Sequence, residues 1–301
     1  MFENCTDLRT INAGDFSFPE VTESIIDNKI ILRGGVSANF CLKMFKGCTN
    51  LQTVNMTIPF ANNSDSTEIF GDGACELMFE GCTNLTNINN ISFTNYLGNN
   101  SLKSMFKNCT KLENINSTEI ELYFKGSNVC ISMFEGCTKL KNVSELKIKN
   151  LTNNCCESMF SNCISLQTPP TGFFSIHKYP SKCYKNMFSG CTSLQTIPFI
   201  YGDTPIHTEV DKSNKPIIPE FYDECFAHMF DGCTNIEVDF NGICGKFKNS
   251  SCAYMFNNCR RLKSVRMIKP LLSIDGSDME SCFSHMFAGC SSLNILPPEN
   301  D

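Results

Sequence analysis

The sequence predicts an α/β solenoid in which about ten copies of one short unit stack side by side. The dipeptide Met-Phe occurs ten times in the 301 residues. A cysteine lies four residues after every one of these Met residues, and a leucine, or in one copy Ile236, lies seven residues after it. Five of the nine intervals between successive Met residues are 26 to 28 residues long. A unit of that size cannot bury its own apolar face, so the copies must stack on one another.

The segment around Met-Phe is predicted to form a helix of about two turns. Apolar residues recur at about −4, 0, +1, +4 and +7 relative to Met, which gives one buried face. The residue at +3 is Gly or Asn in all ten copies. These two residue types enter the left-handed conformation most readily, so we expect this residue to end the helix. The motif Met residues, each numbered 0 within its unit, are Met1, Met44, Met78, Met105, Met133, Met159, Met187, Met229, Met255 and Met286.

After the helix the pattern becomes extended, as in LTNINNISF at 85–93 and LKNVSELKI at 140–148. A buried leucine is followed three residues later by Ile or Val, and further apolar residues indicate a second extended stretch. Stacking the units would align the strands into one long parallel sheet. The sheet is expected on one face of the solenoid and the short helices on the other.

Residues 1–301 are predicted to form a single solenoid, with insertions near 9–40, 59–74 and 201–224. The first copy starts at its motif Met and the last stops soon after Leu293. We therefore expect the chain to be a fragment of a longer protein. No signal peptide and no apolar run long enough for a membrane span is visible, which leaves the compartment open.

The repeating unit Cys-x2–3-Met-Phe-x-Gly/Asn-Cys-Thr-x-Leu-x-x-Ile resembles the BspA-like leucine-rich-repeat family. The resemblance is carried by MFKGCTNLQTV (44–54), MFEGCTNLTNI (78–88) and MFSGCTSLQTI (187–197), and it covers nearly the whole chain. The usual period also lies within the leucine-rich-repeat range. Members of the family are surface proteins of bacteria and of some mucosal protists, and related repeats occur in phage proteins. The resemblance implies adhesion or ligand capture at a cell surface or outside the cell, with the virion and the cytoplasm as alternatives.

Composition and motifs argue against nucleic acid, metal and cofactor binding. The net charge is −6 and the isoelectric point about 5.3, whereas phosphate binding needs clustered Lys and Arg. No Cys-x2-Cys pair occurs, and the apparent half sites Cys225-x2-His228 and Cys282-x2-His285 repeat a single position of the unit. We interpret both histidines as partly exposed rings.

No catalytic constellation is apparent, so the protein is predicted not to be an enzyme. Four histidines occur, and nothing in the sequence places one beside a uniquely exposed cysteine. A position that accepts Leu102 in place of cysteine indicates that the repeated cysteines act as small apolar residues. We expect most thiols to be reduced and buried. Cys244, Cys155 and Cys156 are the cysteines most expected to depart from that state. Any disulfide should join neighbouring units.

A partner is expected on the outward face of the predicted sheet. The residues two and four positions after the motif Leu would align into a polar, Asn-rich surface suited to a protein or glycan. An alternative is a merely solvated face, on a spacer or stalk that projects another domain; a phage host-recognition component is a third possibility. The insertion 201–222 is a second candidate contact, and the oligomeric state is left open. The candidate residues are Thr53, Asn55, Asn87, Asn89, Asn114, Asn116, Asn142, Ser144, Ser264 and Arg266.

Overall fold

The computed structural model describes most of the repeated segments of the chain. The described residues are 2–12, 22–26, 29–33, 37–55, 58–60, 69–89, 91–93, 96–116, 120–143, 146–170, 178–197, 219–237, 239–240, 245–266 and 281–296. Most of the predicted insertion at 201–224, including 201–218, lies outside them, as do parts of the insertions at 9–40 and 59–74.

Regular structure in these residues consists of short strands. They are β1 (Thr10–Asn12), β2 (Thr22–Ile26), β3 (Lys29–Arg33), β4 (Thr53–Asn55), β5 (Ile58–Phe60), β6 (Ile69–Phe70), β7 (Asn87–Asn89), β8 (Ile91–Phe93), β9 (Tyr96–Leu97), β10 (Asn114–Asn116), β11 (Ile120–Phe124), β12 (Leu146–Asn150), β13 (Lys178–Tyr179), β14 (Glu220–Phe221), β15 (Asp239–Phe240), β16 (Lys246–Phe247), β17 (Ser264–Arg266) and β18 (Asn294–Leu296).

The strands pair with their counterparts in neighbouring units, as stacking requires. The strand orders are β1-β4-β7-β10, β2-β3-β5-β8, β6-β9-β11-β12, β13-β14-β16 and β15-β17-β18. Strands of successive units run parallel, for example β4 with β1 and β7. Strands β2 and β3 pair antiparallel as a hairpin within the insertion near 9–40. The predicted parallel pairing and the second extended stretch are both present.

The strands that follow the motif form two sheets in the described chain, whereas the sequence predicted one. Strands β1, β4, β7 and β10 belong to the first four units, and β15, β17 and β18 to the last three. Three units lie between them: that of Met133 has at this position only an isolated bridge, at Asn142, and the other two read Gln-Thr-Pro-Pro at 167–170 and Gln-Thr-Ile-Pro at 195–198. Proline has no N–H to donate to a ladder, so it interrupts the sheet. The prediction of a continuous sheet was therefore wrong.

The segment around Met-Phe is a run of consecutive turns, and none of the described segments is helical. The N–H of Met44 donates to the carbonyl of Cys41 at 3.1 Å, within the same unit. The next N–H, that of Phe45, instead donates to the carbonyl of Met78 in the following unit at 2.8 Å. This alternation repeats from unit to unit. Positions −5 to +4 thus form a turn stack that is hydrogen-bonded both within and between units.

A positive φ at every fourth residue explains why these turns replace the predicted helix. Position +3 has φ between 59° and 75° in all ten units, which confirms its predicted left-handed conformation. Positions −5 and −1 are also left-handed, with φ values such as 54° at Asn154 and 56° at Ser158. An α-helix requires negative φ throughout. The helix predicted from the apolar spacing was therefore wrong, although the buried face was placed correctly.

The motif phenylalanines form a continuous stack through the core. Each ring lies on the ring of the next unit, with centroids 5.3–5.8 Å apart and planes within 13° of parallel. Around this stack the motif Met, the Cys at +4 and the Leu at +7 are fully buried in interior units, as at Met105, Cys109 and Leu112. Burying one such side chain contributes about 1.5–3 kcal/mol, and the contribution recurs in every unit.

The cysteine at +4 connects each unit to the one before it. Cys109 Sγ donates to the carbonyl of Phe79 at 3.1 Å, and the N–H of Cys82 donates to the same oxygen at 3.1 Å. Both lone pairs of that carbonyl are therefore used. The same thiol contact, at 3.0–3.1 Å, joins Cys48 to Phe2, Cys82 to Phe45, Cys137 to Phe106, Cys163 to Phe134, Cys191 to Phe160, Cys233 to Phe188, Cys259 to Phe230 and Cys290 to Phe256.

Candidate binding surface

The parallel registers bring the first set of predicted contact residues into one line. Thr53 pairs with Thr10 on one side and with Asn87 on the other. Asn87 pairs with Asn114, and Asn114 bridges Asn142. We call Thr10, Thr53, Asn87, Asn114 and Asn142 the polar row. Stacking therefore aligns these side chains as the sequence indicated.

The polar row is accessible along its length. Thr10 and Asn142 are exposed, and the three side chains between them are half-buried. The middle residues of β1 and β7, Ile11 and Ile88, are each only 1% exposed, so the strands alternate between core and surface. Neighbouring strands lie about 4.8 Å apart, which sets the spacing of the row. Amide and hydroxyl groups at that spacing can donate and accept hydrogen bonds at regular intervals.

The remaining candidates divide into several groups. Asn55, Asn89 and Asn116 are the last residues of β4, β7 and β10, the same strands that carry the polar row. The structure describes their backbone but not their side chains, and Ser144 lies outside the described residues. Ser264 and Arg266 lie on β17, in the separate second sheet.

Ser264 was expected to face outward, but it is only 8% exposed. It pairs with Asp239 on one side and Asn294 on the other. The prediction that Ser264 contributes to an open face was wrong.

Several buried cysteines are poor nucleophiles in this fold. The nineteen cysteines that the structure describes are free, and all but Cys5 and Cys290 are buried. Burial raises the pKa of Cys82, Cys137 and Cys191 to about 12. A catalytic cysteine needs a lowered pKa. These thiols therefore stay protonated near neutral pH and act as hydrogen-bond donors in the core.

Cys155 and Cys156, expected to be exceptions, are free and fully buried. They occupy positions −4 and −3 of one unit. Cys130 in the preceding unit stands at −3, whereas Cys183 in the following unit stands at −4, with Tyr184 at −3. The pair thus occupies both positions, −3 as in the preceding unit and −4 as in the following one. Cys244 lies outside the described residues.

The two histidines of the apparent half sites belong to a stack of rings. His228 stacks on Tyr254 with centroids 4.6 Å apart, and Tyr254 stacks on His285 at 4.8 Å. His228 Nδ1 lies 2.9 Å from Asp231 Oδ2. The rings are half-buried or exposed, in agreement with the interpretation from sequence. Within the residues described, no group of three His, Cys, Asp or Glu side chains could hold a metal ion.

Comparison with known proteins identified two similar solved structures. No protein-family model matches the chain, and no curated protein matches it. A leucine-rich repeat protein from Bacteroides ovatus covers 98% of this chain and 79% of its own, with 20% identity and a TM-score of 0.39. A leucine rich cell surface protein from Faecalibacterium prausnitzii covers 88% of this chain and 77% of its own, with 15% identity and a TM-score of 0.32.

The sequence identities and TM-scores are low, so the fold is assigned from the chain's own features. Its units repeat the same apolar positions, their strands pair in parallel, and their motif phenylalanines stack in one column. The fold is a solenoid of stacked repeats with parallel strands. No helix in the described part of this solenoid is long and apolar enough to cross a membrane.

A second surface of the solenoid, not singled out from the sequence, lies on β9, β11 and β12. Tyr123 pairs with Tyr96 on one side and with Asn150 on the other, so the three residues form a line. The two tyrosine rings lie 6.0 Å apart at 74°, and Tyr96 is 39% exposed. The register shifts after Leu122, which leaves Lys149 and Asn150 both exposed at the end of β12.

Charged groups surround the two tyrosines. Lys125 Nζ lies 6.0 Å from the centroid of the Tyr96 ring, and Lys149 Nζ lies 3.4 Å from Glu121 Oε1. The Tyr123 hydroxyl donates to Glu121 Oε2 at 3.0 Å. This hydrogen bond and the nearby lysines lower the pKa of Glu121. The surface, termed the tyrosine–lysine patch, consists of Tyr96, Glu121, Tyr123, Lys125, Lys147, Lys149 and Asn150.

The patch was not predicted from the sequence, because its residues come from three different units. Tyr96 stands 18 residues after Met78 and Tyr123 stands 18 residues after Met105, whereas Asn150 stands 17 residues after Met133. Only the pairing of β9, β11 and β12 brings them together. A search for aromatic residues at matching strand positions would have been the available signal.

Proposed function

We propose that the solenoid is a non-enzymatic binding module that presents the polar row to a protein or glycan on a cell surface. The observation that carries this proposal is the register Thr53–Asn87–Asn114–Asn142, which places like polar groups on successive strands. A regular series of shallow hydrogen bonds suits an extended partner better than a small substrate. The raised thiol pKa values in the core are consistent with a role other than catalysis.

The rigidity of the row supports this proposal. Its inner strands β4 and β7 are each fixed by a buried residue, Val54 or Ile88, and by pairing with a strand on both sides. Such a surface loses little conformational entropy when a partner binds. We propose a surface or extracellular location for the module. Long polar side chains such as Gln52 border the row and could extend the contact.

The experiment compares capture by two double variants. In the first, Asn87→Lys and Asn114→Lys place two cations on the polar row. In the second, Asn153→Lys and Thr192→Lys add the same charge at exposed residues outside it. Each purified protein is immobilised and exposed to epithelial and bacterial surface extracts, and bound material is measured as a function of extract concentration.

Saturable capture that is lost in the row variant and kept in the control variant would support binding through the row. Equal capture by both variants would contradict use of the row and direct attention to the segment 201–222. No capture by the unmodified protein would favour the spacer or stalk, in which the row is only solvated. Circular dichroism of each variant would verify that the fold is retained.

A further inference from the structure

We propose that the tyrosine–lysine patch binds an acidic oligosaccharide whose sugar rings carry carboxylates. The patch lies on a different sheet from the polar row and involves none of its residues. The two proposals can therefore fail independently.

The two tyrosines provide a surface suited to sugar rings. Tyr96 is one of the most exposed large apolar side chains among the described residues, with 39% of its surface accessible. Its edge-to-face arrangement with Tyr123 leaves ring surface open to solvent. The C–H bonds on one face of a pyranose can pack against aromatic carbons while its hydroxyls remain hydrogen-bonded at the rim. Asn150, in register with Tyr123, provides amide donors and an acceptor at that rim.

The charge of the patch selects for an anionic sugar. Three lysines and one glutamate give a local excess of positive charge in a chain whose net charge is −6. Lys125 lies above the exposed Tyr96 ring, and Lys149 extends from the irregular end of β12. A carboxylate on a ring stacked against Tyr96 could interact with the Lys125 ammonium group, and one on the next ring with that of Lys149. Irregularities of this kind commonly re-aim side chains at functional sites.

Glu121 favours a carboxylated sugar over a densely sulfated one. It holds a fixed negative charge between Tyr123 and Lys149, with its oxygens 3.0 Å and 3.4 Å from their polar atoms. A heavily sulfated chain would bring several anions close to this carboxylate and be repelled. A sugar with one carboxylate per ring can instead direct a hydroxyl donor toward Glu121.

The proposal is tested by isothermal titration calorimetry of the intact chain with three oligosaccharides of equal length. They are a galacturonic acid tetramer, a neutral galactose tetramer and a heparin-derived tetrasaccharide. The galacturonic acid tetramer is expected to bind at least about tenfold more tightly than the neutral one. Its affinity should fall as salt is raised from 50 to about 300 mM because exposed charges are screened.

Variants then localise the binding. Tyr96→Ala should weaken binding of the acidic tetramer at least about tenfold, and Lys125→Gln combined with Lys149→Gln should remove its advantage over the neutral tetramer. The matched control is Lys178→Gln combined with Lys246→Gln, two lysines exposed on the neighbouring sheet of β13, β14 and β16. Tyr96→Leu serves as the second variant if Tyr96→Ala unfolds, since it keeps apolar area but removes the ring.

Several results would overturn the proposal. These are no heat of binding at millimolar acidic tetramer, equal affinity for the neutral tetramer, tighter binding of the heparin fragment, or loss of affinity in the control variant equal to that in the patch variant. Loss of cellular capture in the polar-row variant with tetramer binding unchanged would leave this inference intact. Row-dependent cellular capture without any binding of the acidic tetramer would refute the inference and leave the role of the row intact.

Discussion

The side-chain oxygen of Asn108 occupies the space that a side chain at Gly136 would need. An ideal Cβ placed on Gly136 would lie 2.4 Å from Asn108 Oδ1, well inside van der Waals contact. The same relation recurs at position +3 along the solenoid, where every Asn is followed by a Gly in the next unit. The column reads Asn4, Gly47, Gly81, Asn108, Gly136, Asn162, Gly190, Gly232, Asn258 and Gly289. The order of Asn and Gly is therefore set by packing between units.

Exchange of Asn and Gly at this position tests the packing rule. An ideal Cβ on Gly81 would lie 3.9 Å from the Cα of Gly47, so an Asn has room on that side, but its oxygen would meet the Cβ of Asn108. Gly81→Asn should lower the free energy of unfolding by about 1–3 kcal/mol. Adding Asn108→Gly should restore most of that loss, as measured by urea unfolding of the four members of a double-mutant cycle. An equal cost of Gly81→Asn in both backgrounds would contradict the rule.

The contacts between each +4 thiol and the motif Phe carbonyl of the preceding unit should contribute measurably to stability. Cys109→Ala removes the Sγ contact to the Phe79 carbonyl and leaves a small cavity, and we expect a loss of about 1–2 kcal/mol in the free energy of unfolding. Cys109→Ser keeps a donor and should lose less. Cys5→Ala, at an exposed cysteine, is the matched control and should change stability little. Thermal or urea unfolding of the three variants would show whether the loss of stability is largest in Cys109→Ala, smaller in Cys109→Ser and smallest in Cys5→Ala.

Alkaline pH should destabilise the solenoid through its buried thiols. Burial raises the pKa of Cys82, Cys137 and Cys191 from 9.0 to about 12, so the folded state binds these protons more tightly than the unfolded state. The resulting stability is complete below about pH 9 and is lost as pH rises from 9 toward 12. Urea midpoints measured between pH 7 and 11 should fall above pH 9. Replacing the three cysteines with serine should flatten that decline; an unchanged slope would refute the assignment to these thiols.

The left-handed column at position −1 offers sites for stabilisation. Ser158 has φ 56°, a conformation that costs an L-residue roughly 1–2 kcal/mol. Ser158→Gly should therefore raise the free energy of unfolding by about 1 kcal/mol. Ser189 at position +2 is not left-handed, so Ser189→Gly should instead lower it by about 0.5–1 kcal/mol. Melting temperatures shifting in the same direction for both would contradict the role of the backbone conformation.

The sequence predicted the solenoid because its strongest signal, the spacing of apolar residues, reports stacking directly. Phe106 and Leu112 are buried at the positions expected from the repeat, and Asn87 pairs with Asn114 as expected from alignment of the units. The same spacing could not distinguish a helix from consecutive turns, since both bury residues three and four apart. The missed signal was Asn or Gly at −5, as at Asn128 and Asn154, eight residues before the Gly or Asn at +3.

The candidate surfaces were less predictable than the core. Thr53 and Asn87 could be placed because they stand at equivalent positions in their units. Ser264 is buried although its position in the unit predicted exposure, and the line from Tyr96 to Asn150 depends on the register shift between β11 and β12. Such features arise from contacts between units, and the repeat pattern of any one unit does not contain them.

The alternating hydrogen bonds of the turn stack determine how the solenoid would respond to a pulling force. In this chain half of the turn N–H groups, such as that of Phe45, cross to the next unit, as strand N–H groups do. Adjacent units are thus joined on both the turn side and the strand side. A load along the solenoid axis must break many parallel hydrogen bonds between two units at once. The solenoid should therefore unfold in steps of one whole unit instead of extending gradually.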